Sequence, residues 1–245
     1  QYLEVDDPDT INLQVFDSFL DGSKSAIEMT AVCNATGLVP QAQGLSFPPS
    51  SRFALADVCK PQKDGGVLTC DGTTEVVSSL DRNGEPVDHH LAMGTFVIAR
   101  PKSDYARQCF REYHMLPDQS GHYGALYRPT HMIGLELGVS IASVALRGEP
   151  TGQPHCFSSD VVAVAKRDLK AGETLDGEGG HCVYGKQMPA DASIEKNALA
   201  LGLSGGLTLT RDVDAGEVLC EEDATLDNAD EAVQARRMMR ATFAL

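Results

Sequence analysis

Three side chains near the N-terminus stand at a spacing that suits acid–base chemistry. Asp21, Lys24 and Glu28 are three and four residues apart, so on a helix they share one face. A carboxylate or an amine on such a face can move a proton, and a carboxylate can also hold a metal ion. The same spacing is typical of an ion-pair ladder on the surface, which helix patterns alone favour. These residues are candidate catalytic residues, and the ladder is the alternative.

A second set of candidates can bind an anion such as phosphate or carboxylate. Arg128 comes just before an expected helix start, where its guanidinium and the free backbone N–H groups can meet an oxyanion together. Arg52 and His131 are further cations, and Tyr123 can lie on the same wall. The alternative is equally open. Arg128 can pair with Glu136, and His131 can be a capping or core residue.

The strongest local pattern is a motif that occurs twice. Residues 167–175 read RDLKAGETL, and residues 211–219, 44 positions later, read RDVDAGEVL. Each copy follows an apolar, β-rich stretch and turns at Ala-Gly-Glu, which predicts a strand, a tight turn and a second strand. Neither unit can bury a face alone, so we expect the two copies to pack on one another. Lys166 and Arg167, before the first turn, are expected to be solvated.

The N-terminal part is predicted to be mainly helical. Residues 9–38 carry apolar side chains at helical spacing, with a break at Asp21-Gly22-Ser23 where Ser23 can cap a second helix. Residues 39–65 are rich in Pro, Ser and Gly and predict a long loop, with a short helix near residues 53–59.

The middle part is predicted to contain short strands and one helix. Residues 66–100 hold β-branched runs at 67–69, 76–77 and 95–99, separated by Asp-Gly and Asn-Gly turn signals. Residues 132–147 predict an amphipathic helix that ends at Gly148, which we take as the end of a domain.

Composition limits the partners and the compartment. The formal net charge is −15 and the isoelectric point is near 4.7, which argues against nucleic acid and anionic membrane as partners. The longest apolar stretch, 132–146, carries Glu136 and is too short to span a bilayer. The seven cysteines contain no C-x-x-C pattern, and the His-Cys pairs match no zinc spacing. We therefore expect a soluble, cytoplasmic protein with reduced thiols.

The repeated motif resembles the SAF domain, a small β-clip module. Four further strings stand out, namely FLDGSKSAIEMTAVCNATGLVP at 19–40, LYRPTH at 126–131, VVAVAKRDLKAGE at 161–173 and GGHCVYG at 179–185. Through these strings, the chain as a whole is similar to the C-terminal half of SAF-containing, homoserine-dehydrogenase-like oxidoreductases. That group includes a reductoisomerase-like enzyme of isoprenoid biosynthesis, which makes methylerythritol phosphate from deoxyxylulose phosphate.

The resemblance implies an α/β (α+β) middle domain followed by a small all-β SAF domain. It implies a homodimer that acts on a small-molecule substrate with NADP(H), and it leaves room for a divalent metal. We place a catalytic and dimerisation domain at 1–148, the SAF domain at 149–228 and a C-terminal helical tail at 229–245. Within the first domain, the resemblance favours a catalytic role for Asp21, Lys24 and Glu28, and a substrate-binding role for Arg52, Tyr123, Arg128 and His131.

The chain departs from that group in one respect, because it has no dinucleotide-binding fingerprint. The glycine clusters at 177–180 and 202–206 lie inside the repeat module and lack the G-x-G-x-x-G order that opens a βαβ unit. The resemblance therefore implies that the nucleotide-binding domain is missing here, and that the isolated chain is inactive in hydride transfer.

Two other functions stay open at this point. The chain can be a sugar-acid-binding or lyase-like SAF protein without redox activity, which would bind its ligand tightly without nucleotide. It can also be an assembly or chaperone module, which would bind a partner protein and no small molecule. The oxidoreductase is the function that we favour.

Overall fold

The computed structural model describes residues 7–243. None of the helices in this part of the chain is long and apolar enough to cross a membrane. In chain order, the α-helices and β-strands are α1 (Leu13–Leu20), α2 (Ser23–Thr36), α3 (Leu55–Val58), β1 (Thr95–Ala99), α4 (Asp104–Glu112), β2 (Leu116–Pro117), β3 (Gly124–Arg128), α5 (Leu137–Ala142), β4 (Ser159–Ala165), β5 (Val183–Pro189), α6 (Ala190–Glu195) and α7 (Glu231–Phe243).

The described residues form two compact units. One unit is residues 46–153, and the other combines residues 7–45 with residues 154–243. The N-terminal helices therefore belong to the same unit as the repeated motif. The domain boundaries at 148 and 228 stay a prediction. The fold class is confirmed, because a mixed α/β part is followed by a small antiparallel sheet in the region of the repeat.

The unit of residues 46–153 is built on a three-stranded antiparallel sheet in the order β1-β3-β2. Phe96 and Ile98 of β1 alternate with exposed residues, as do Ala125 and Tyr127 of β3, so that one face of the sheet packs on a core. Leu55, which is fully buried, anchors α3 in that core. The run at 67–69 forms only an isolated bridge, between Leu68 and Pro61, and residues 76–77 lie just before another, between Ser78 and Pro49. Neither run becomes a strand, and proline has no N–H to donate to a ladder.

The helix predicted over 132–147 is shorter than expected and is not amphipathic. Gly134 has a φ of 82°, so the helix begins only at α5 and continues as a π-helical turn over Ser143–Arg147. Leu137, Val139 and Leu146 are 60%, 67% and 83% exposed. Its apolar side chains thus face solvent on several sides. Gly148 ends it with a φ of 66°, as predicted.

The second unit places α1 and α2 against the β4-β5 hairpin. Gly22, with a φ of 87°, breaks the helix where the sequence predicts a break. Ser23 does not cap α2 as expected, because its buried hydroxyl instead accepts a hydrogen bond from the Gly185 N–H of β5 at 2.7 Å. Helix α7 is attached to the same unit by Arg236, whose Nη1 donates to Asp160 at 3.1 Å.

The two copies of the motif pack on one another, as the sequence predicts. Leu169 and Val213 exchange backbone hydrogen bonds of 2.8 and 3.0 Å. Asp168 Oδ1 accepts from the Ala215 N–H at 3.0 Å, and Asp212 Oδ1 accepts from the Ala171 N–H at 2.9 Å. Each copy thus caps the turn of the other. The core around them is formed by residues that include Ala163, Ala165, Leu169, Leu175, Val183, Leu199, Leu209, Val213 and Leu219.

Candidate functional site

A strained loop in the unit of residues 46–153 holds two of the predicted site residues. The loop runs from His89 to Met93, and we call it the 89–93 loop. His89 and Met93 have φ angles of 54° and 64°, in the left-handed region that side chains other than glycine rarely adopt. Leu91 anchors the loop in the core. Strain of this kind persists only where the surrounding structure fixes it, and it concentrates at binding and catalytic sites.

Gly94 lets this loop lie close to the end of β3. A Cβ atom at Gly94 would stand 2.5 Å from the Leu91 side chain and 2.7 Å from the backbone oxygen of Arg128. Because real Cβ atoms do not approach backbone oxygens this closely, only glycine fits. The close approach brings the loop to the point where the chain leaves β3 towards His131.

Arg52 bonds to one end of the loop and keeps its positive charge uncompensated. Its backbone N–H donates to the His89 carbonyl at 2.9 Å. Its guanidinium lies over the rings of Phe53 and Tyr127, with Cζ at 5.0 and 5.8 Å from the ring centroids. Among residues 7–243 no carboxylate pairs with Arg52, and its buried Nε–H has no acceptor. A half-buried, unpaired guanidinium on aromatic rings suits an anionic ligand.

His131 bonds to the other end of the loop. Its backbone N–H and its ring Nδ1 both lie within hydrogen-bond distance of the Met93 carbonyl oxygen, at 2.9 and 2.7 Å. The ring is partly exposed. The structure therefore connects Arg52 and His131 through a single five-residue loop, a connection that the sequence does not reveal because residues 52, 89–93 and 131 are far apart in the chain.

Arg128 and Tyr123 are engaged in contacts with acidic side chains. Arg128 forms an ion pair with Glu136, which is the alternative that the sequence left open. Tyr123 is 5% exposed and donates its hydroxyl proton to Asp64 at 2.7 Å. Burial and this hydrogen bond raise the pKa of Tyr123 to about 12. Their role in substrate binding stays a prediction.

The three catalytic candidates near the N-terminus lie in the other unit. Lys24 Nζ and Glu28 Oε1 form an i,i+4 ion pair of 3.0 Å on the surface of α2. Asp21 follows α1, and its Oδ2 lies 2.8 Å from the ammonium of Lys166. The geometry fits the ion-pair alternative for Lys24 and Glu28, and their catalytic role stays a prediction.

Lys166 is held by three oxygen atoms, contrary to the expectation that it is solvated. Its ammonium contacts Asp17 at 2.6 Å, Asp21 at 2.8 Å and the Gly180 carbonyl at 2.6 Å. Burial lowers the pKa of Lys166, but the hydrogen bonds to Asp17 and Asp21 outweigh it, so the pKa is raised. The ammonium thus donates to Asp17 and to the Gly180 carbonyl and forms an ion pair with Asp21. Asp17 and Asp21, four residues apart at the end of α1, were the sequence signal that could have indicated the partners of Lys166.

An open cleft of about 550 Å³ lies beside this ammonium. Because two carboxylates already compensate the charge of Lys166, the cleft does not offer an unpaired cation to an anionic ligand. It is lined by Asp17, Leu20, Asp21, Ala165, Lys166, Tyr184 and Gly216.

The described residues do not fit a dinucleotide. Both sheets are antiparallel, whereas the dinucleotide fold needs parallel strands joined by helices. A Cβ atom at Gly179 would stand 1.9 Å from the Gln14 backbone oxygen, and one at Gly180 would stand 2.2 Å from Asp176. These glycines admit the protein's own chain rather than a pyrophosphate. Within residues 7–243, no group of three His, Cys, Asp or Glu side chains could hold a metal ion.

Comparison with known families assigns this architecture to an oxidoreductase that carries a SAF domain. Residues 1–137 match the model of the catalytic domain of oxidoreductase DRL, and residues 160–225 match that of the SAF domain. The first match covers more than half of the chain, so the chain belongs to the oxidoreductase DRL catalytic-domain family. No curated protein matches this chain.

Proposed function

We propose that this chain is the catalytic and SAF portion of an NAD(P)-dependent oxidoreductase or reductoisomerase. Its substrate is a small hydroxy-carbonyl compound or sugar phosphate, as in the homoserine-dehydrogenase-like and deoxyxylulose-phosphate-reductoisomerase-like enzymes that the sequence resembles. The family match supports the oxidoreductase class. We further propose that the protein is a cytoplasmic homodimer, and that NADP(H) binds to residues outside 7–243.

The observation that carries the substrate assignment is the unpaired charge of Arg52. The other cationic candidates have partners, because Lys24 pairs with Glu28 and Arg128 pairs with Glu136. The Arg52 backbone also bonds to the 89–93 loop, and its guanidinium lies over two aromatic rings. A guanidinium can bind phosphate or carboxylate with two parallel hydrogen bonds, so a substrate with an anionic end fits the site.

Titration with inorganic phosphate and with acetate tests the anion site. In nuclear magnetic resonance spectra of the 245-residue chain, phosphate should shift the Arg52 Nε–H signal saturably, and the Arg52→Met variant should lose this binding. Arg100→Met is the matched control, since Arg100 lies in the same unit and already pairs with Asp71 at 2.7 Å. Equal binding by wild type and Arg52→Met would overturn the assignment, and preference for acetate would indicate a carboxylate substrate.

Fluorescence titration with NADPH tests the cofactor part separately. The 245-residue chain should not bind NADPH, whereas a gene product that extends beyond it should. Tight NADPH binding by the 245-residue chain would contradict the assignment of the cofactor to other residues. Absence of binding by every form of the gene product would overturn the oxidoreductase proposal.

A further inference from the structure

We propose that His131 is the proton-accepting residue of the site that the 89–93 loop forms, with its Nε2 facing a substrate hydroxyl whose anionic end is held by Arg52. This inference rests on the proposed function for the nature of the substrate. It changes the role of His131 from a substrate-binding cation to a neutral base.

The first step is the tautomer of the ring, which the Met93 contact fixes. A carbonyl oxygen accepts hydrogen bonds and cannot donate one, so Nδ1 of His131 must carry the proton in the 2.7 Å bond to Met93. In the neutral ring the lone pair then lies on Nε2. Nε2 has no hydrogen-bond partner within residues 7–243. The ring is thus oriented at one nitrogen and available as an acceptor at the other.

The second step is the strained backbone that presents the carbonyl. Met93 adopts a φ of 64°, and its oxygen accepts from both the backbone and the ring of His131. Such a residue costs of order 1–3 kcal/mol unless the surroundings fix it. The backbone N–H bond keeps the oxygen in place while the ring changes charge, so the strained residue works as a positioning element.

The third step is the proximity of the anion site. Arg52 and His131 bond to carbonyl groups only four residues apart, at His89 and Met93. Four residues of extended chain span at most about 14 Å, and both side chains reach beyond their backbone. The Arg52 guanidinium also lies over the ring of Tyr127, a residue of β3, and His131 follows shortly after the end of that strand. A small substrate can therefore contact both residues.

The proton transfer requires only the substrate hydroxyl and the ring of His131. The substrate O–H bond breaks, its electron pair stays on the oxygen, and the proton forms an N–H bond at Nε2 of His131. The ring becomes an imidazolium, and its Nδ1–H bond to Met93 becomes charge-assisted and stronger. The proton leaves afterwards to water, which restores the neutral ring.

Nitrogen-15 spectra of the seven histidine rings test the tautomer. At about pH 8, where an ordinary histidine with a pKa near 6.5 is neutral, His131 should show a protonated Nδ1 and a bare Nε2. Free histidine prefers the opposite tautomer, so the result discriminates. The signal is identified by its absence in His131→Gln. A protonated Nε2 in His131 would overturn the proposal.

Carbethoxylation of the unmodified chain tests accessibility and proximity to the anion site without relying on a folded variant. Diethyl pyrocarbonate should modify His131 at Nε2, as read by peptide mass spectrometry. Inorganic phosphate at about ten times its Kd should slow this modification about tenfold. His114 is the internal reference, since it lies in the same unit and should not be protected. Equal rates at His131 with and without phosphate would refute the proposal, whatever the NADPH titration gives.

Discussion

The ammonium of Lys60 lies 2.8 Å from Oδ2 of Asp118, and the two side chains are only 9% and 0% exposed. Oδ2 also accepts from Ser120, and Oδ1 accepts from the Tyr123 N–H at 3.0 Å. The Lys60 ammonium also contacts Asp57 at 3.4 Å, and the buried pair connects the segment after α3 to the turn before β3. The unit of residues 46–153 is therefore held by an ionic contact as well as by its small core.

Removing the charge of Asp118 should unfold this unit more easily. Asp118→Asn removes the closer carboxylate of the buried Lys60 ammonium and leaves it only Asp57 at 3.4 Å, a change that costs about 1.5–3 kcal/mol. Urea unfolding monitored by circular dichroism measures the loss. Asp104→Asn is the control, since Asp104 is 92% exposed in its ion pair with Arg107 and should cost less than about 1 kcal/mol. Equal effects of the two variants would contradict a stabilising role for the buried pair.

The same contact predicts that stability falls in acid. Burial raises the pKa of Asp118, but the hydrogen bonds from Lys60, Ser120 and the Tyr123 N–H outweigh it and hold the pKa well below the ordinary value. A depressed folded-state pKa stabilises the protein above the unfolded pKa of about 3.9 and loses that contribution below it. Thermal melting of the wild type should therefore drop steeply below about pH 4. In Asp118→Asn this part of the drop should be absent.

Lys166 should hold α1 against the rest of the second unit. Lys166→Met removes a donor from Asp17, Asp21 and the Gly180 carbonyl, and we expect a loss of about 1–3 kcal/mol. Hydrogen exchange of residues 13–20 should quicken before that of β4. Lys170→Met is the matched control, because Lys170 is 73% exposed in its pair with Asp212. Unchanged exchange in α1 would refute this role.

The contribution of Lys166 to stability depends on pH in the opposite direction to that of Asp118. The pKa of Lys166 is raised, since hydrogen bonds to two carboxylates outweigh its burial. A raised folded-state pKa stabilises the protein below the unfolded value of about 10.4 and loses that contribution as the pH rises through the folded-state pKa. Protection of α1 against exchange should thus weaken at strongly alkaline pH in the wild type and not in Lys166→Met.

Gly179 should tolerate no side chain. Its φ of 69° strains any other residue, and a Cβ would overlap the Gln14 backbone oxygen at 1.9 Å. Gly172→Ala is the matched control, since Gly172 has a φ of 86° but nothing within 4 Å of its Cβ position. Both variants lose about 1–3 kcal/mol through backbone strain, so the difference between them measures the overlap. Differential scanning calorimetry should give a lower Tm for Gly179→Ala, and equal Tm values would contradict the close approach.

The two turn-capping aspartates should contribute about equally. Asp168→Ala and Asp212→Ala each remove the acceptor of an exposed turn N–H, which costs about 0.5–1.5 kcal/mol, and the exposed ion pair that Asp212→Ala also removes adds little. Urea unfolding of the single and double variants measures both effects. A neutral result for either variant would show that the two copies do not cap each other's turns in solution.

Local patterns predicted the parts of the fold that local chemistry determines. The helix break at Gly22, the end of the helix at Gly148 and the two turns of the repeat follow from glycine conformation and turn residues. The strands expected at 67–69 and 76–77 did not form, because pairing depends on the partner segment, and the residues that bridge to Leu68 and Ser78 are Pro61 and Pro49. Hydrophobicity of one segment carries no information about its partner.

The candidate site was predictable in its residue types and not in its assembly. The sequence selects Arg52 and His131 as polar groups suited to an anion, and the structure adds that both bond to the 89–93 loop. The sequence could not predict the positive φ of Met93, because methionine rarely adopts it and tertiary contacts impose it. Sequence spacing also does not distinguish Arg52 from Arg128. Arg52 has no acidic partner in the described chain, whereas Arg128 pairs with Glu136.

The two motifs depend on each other for the caps of their turns. A polypeptide with one motif would have an aspartate without its turn N–H and a turn without its aspartate. Two identical chains related by a twofold axis would satisfy both groups, because such an interface is self-complementary. The repeat in this sequence places both partners on one chain, at a high effective concentration. The pairing of the two motifs therefore does not depend on how much protein is present, as the pairing of two separate copies would.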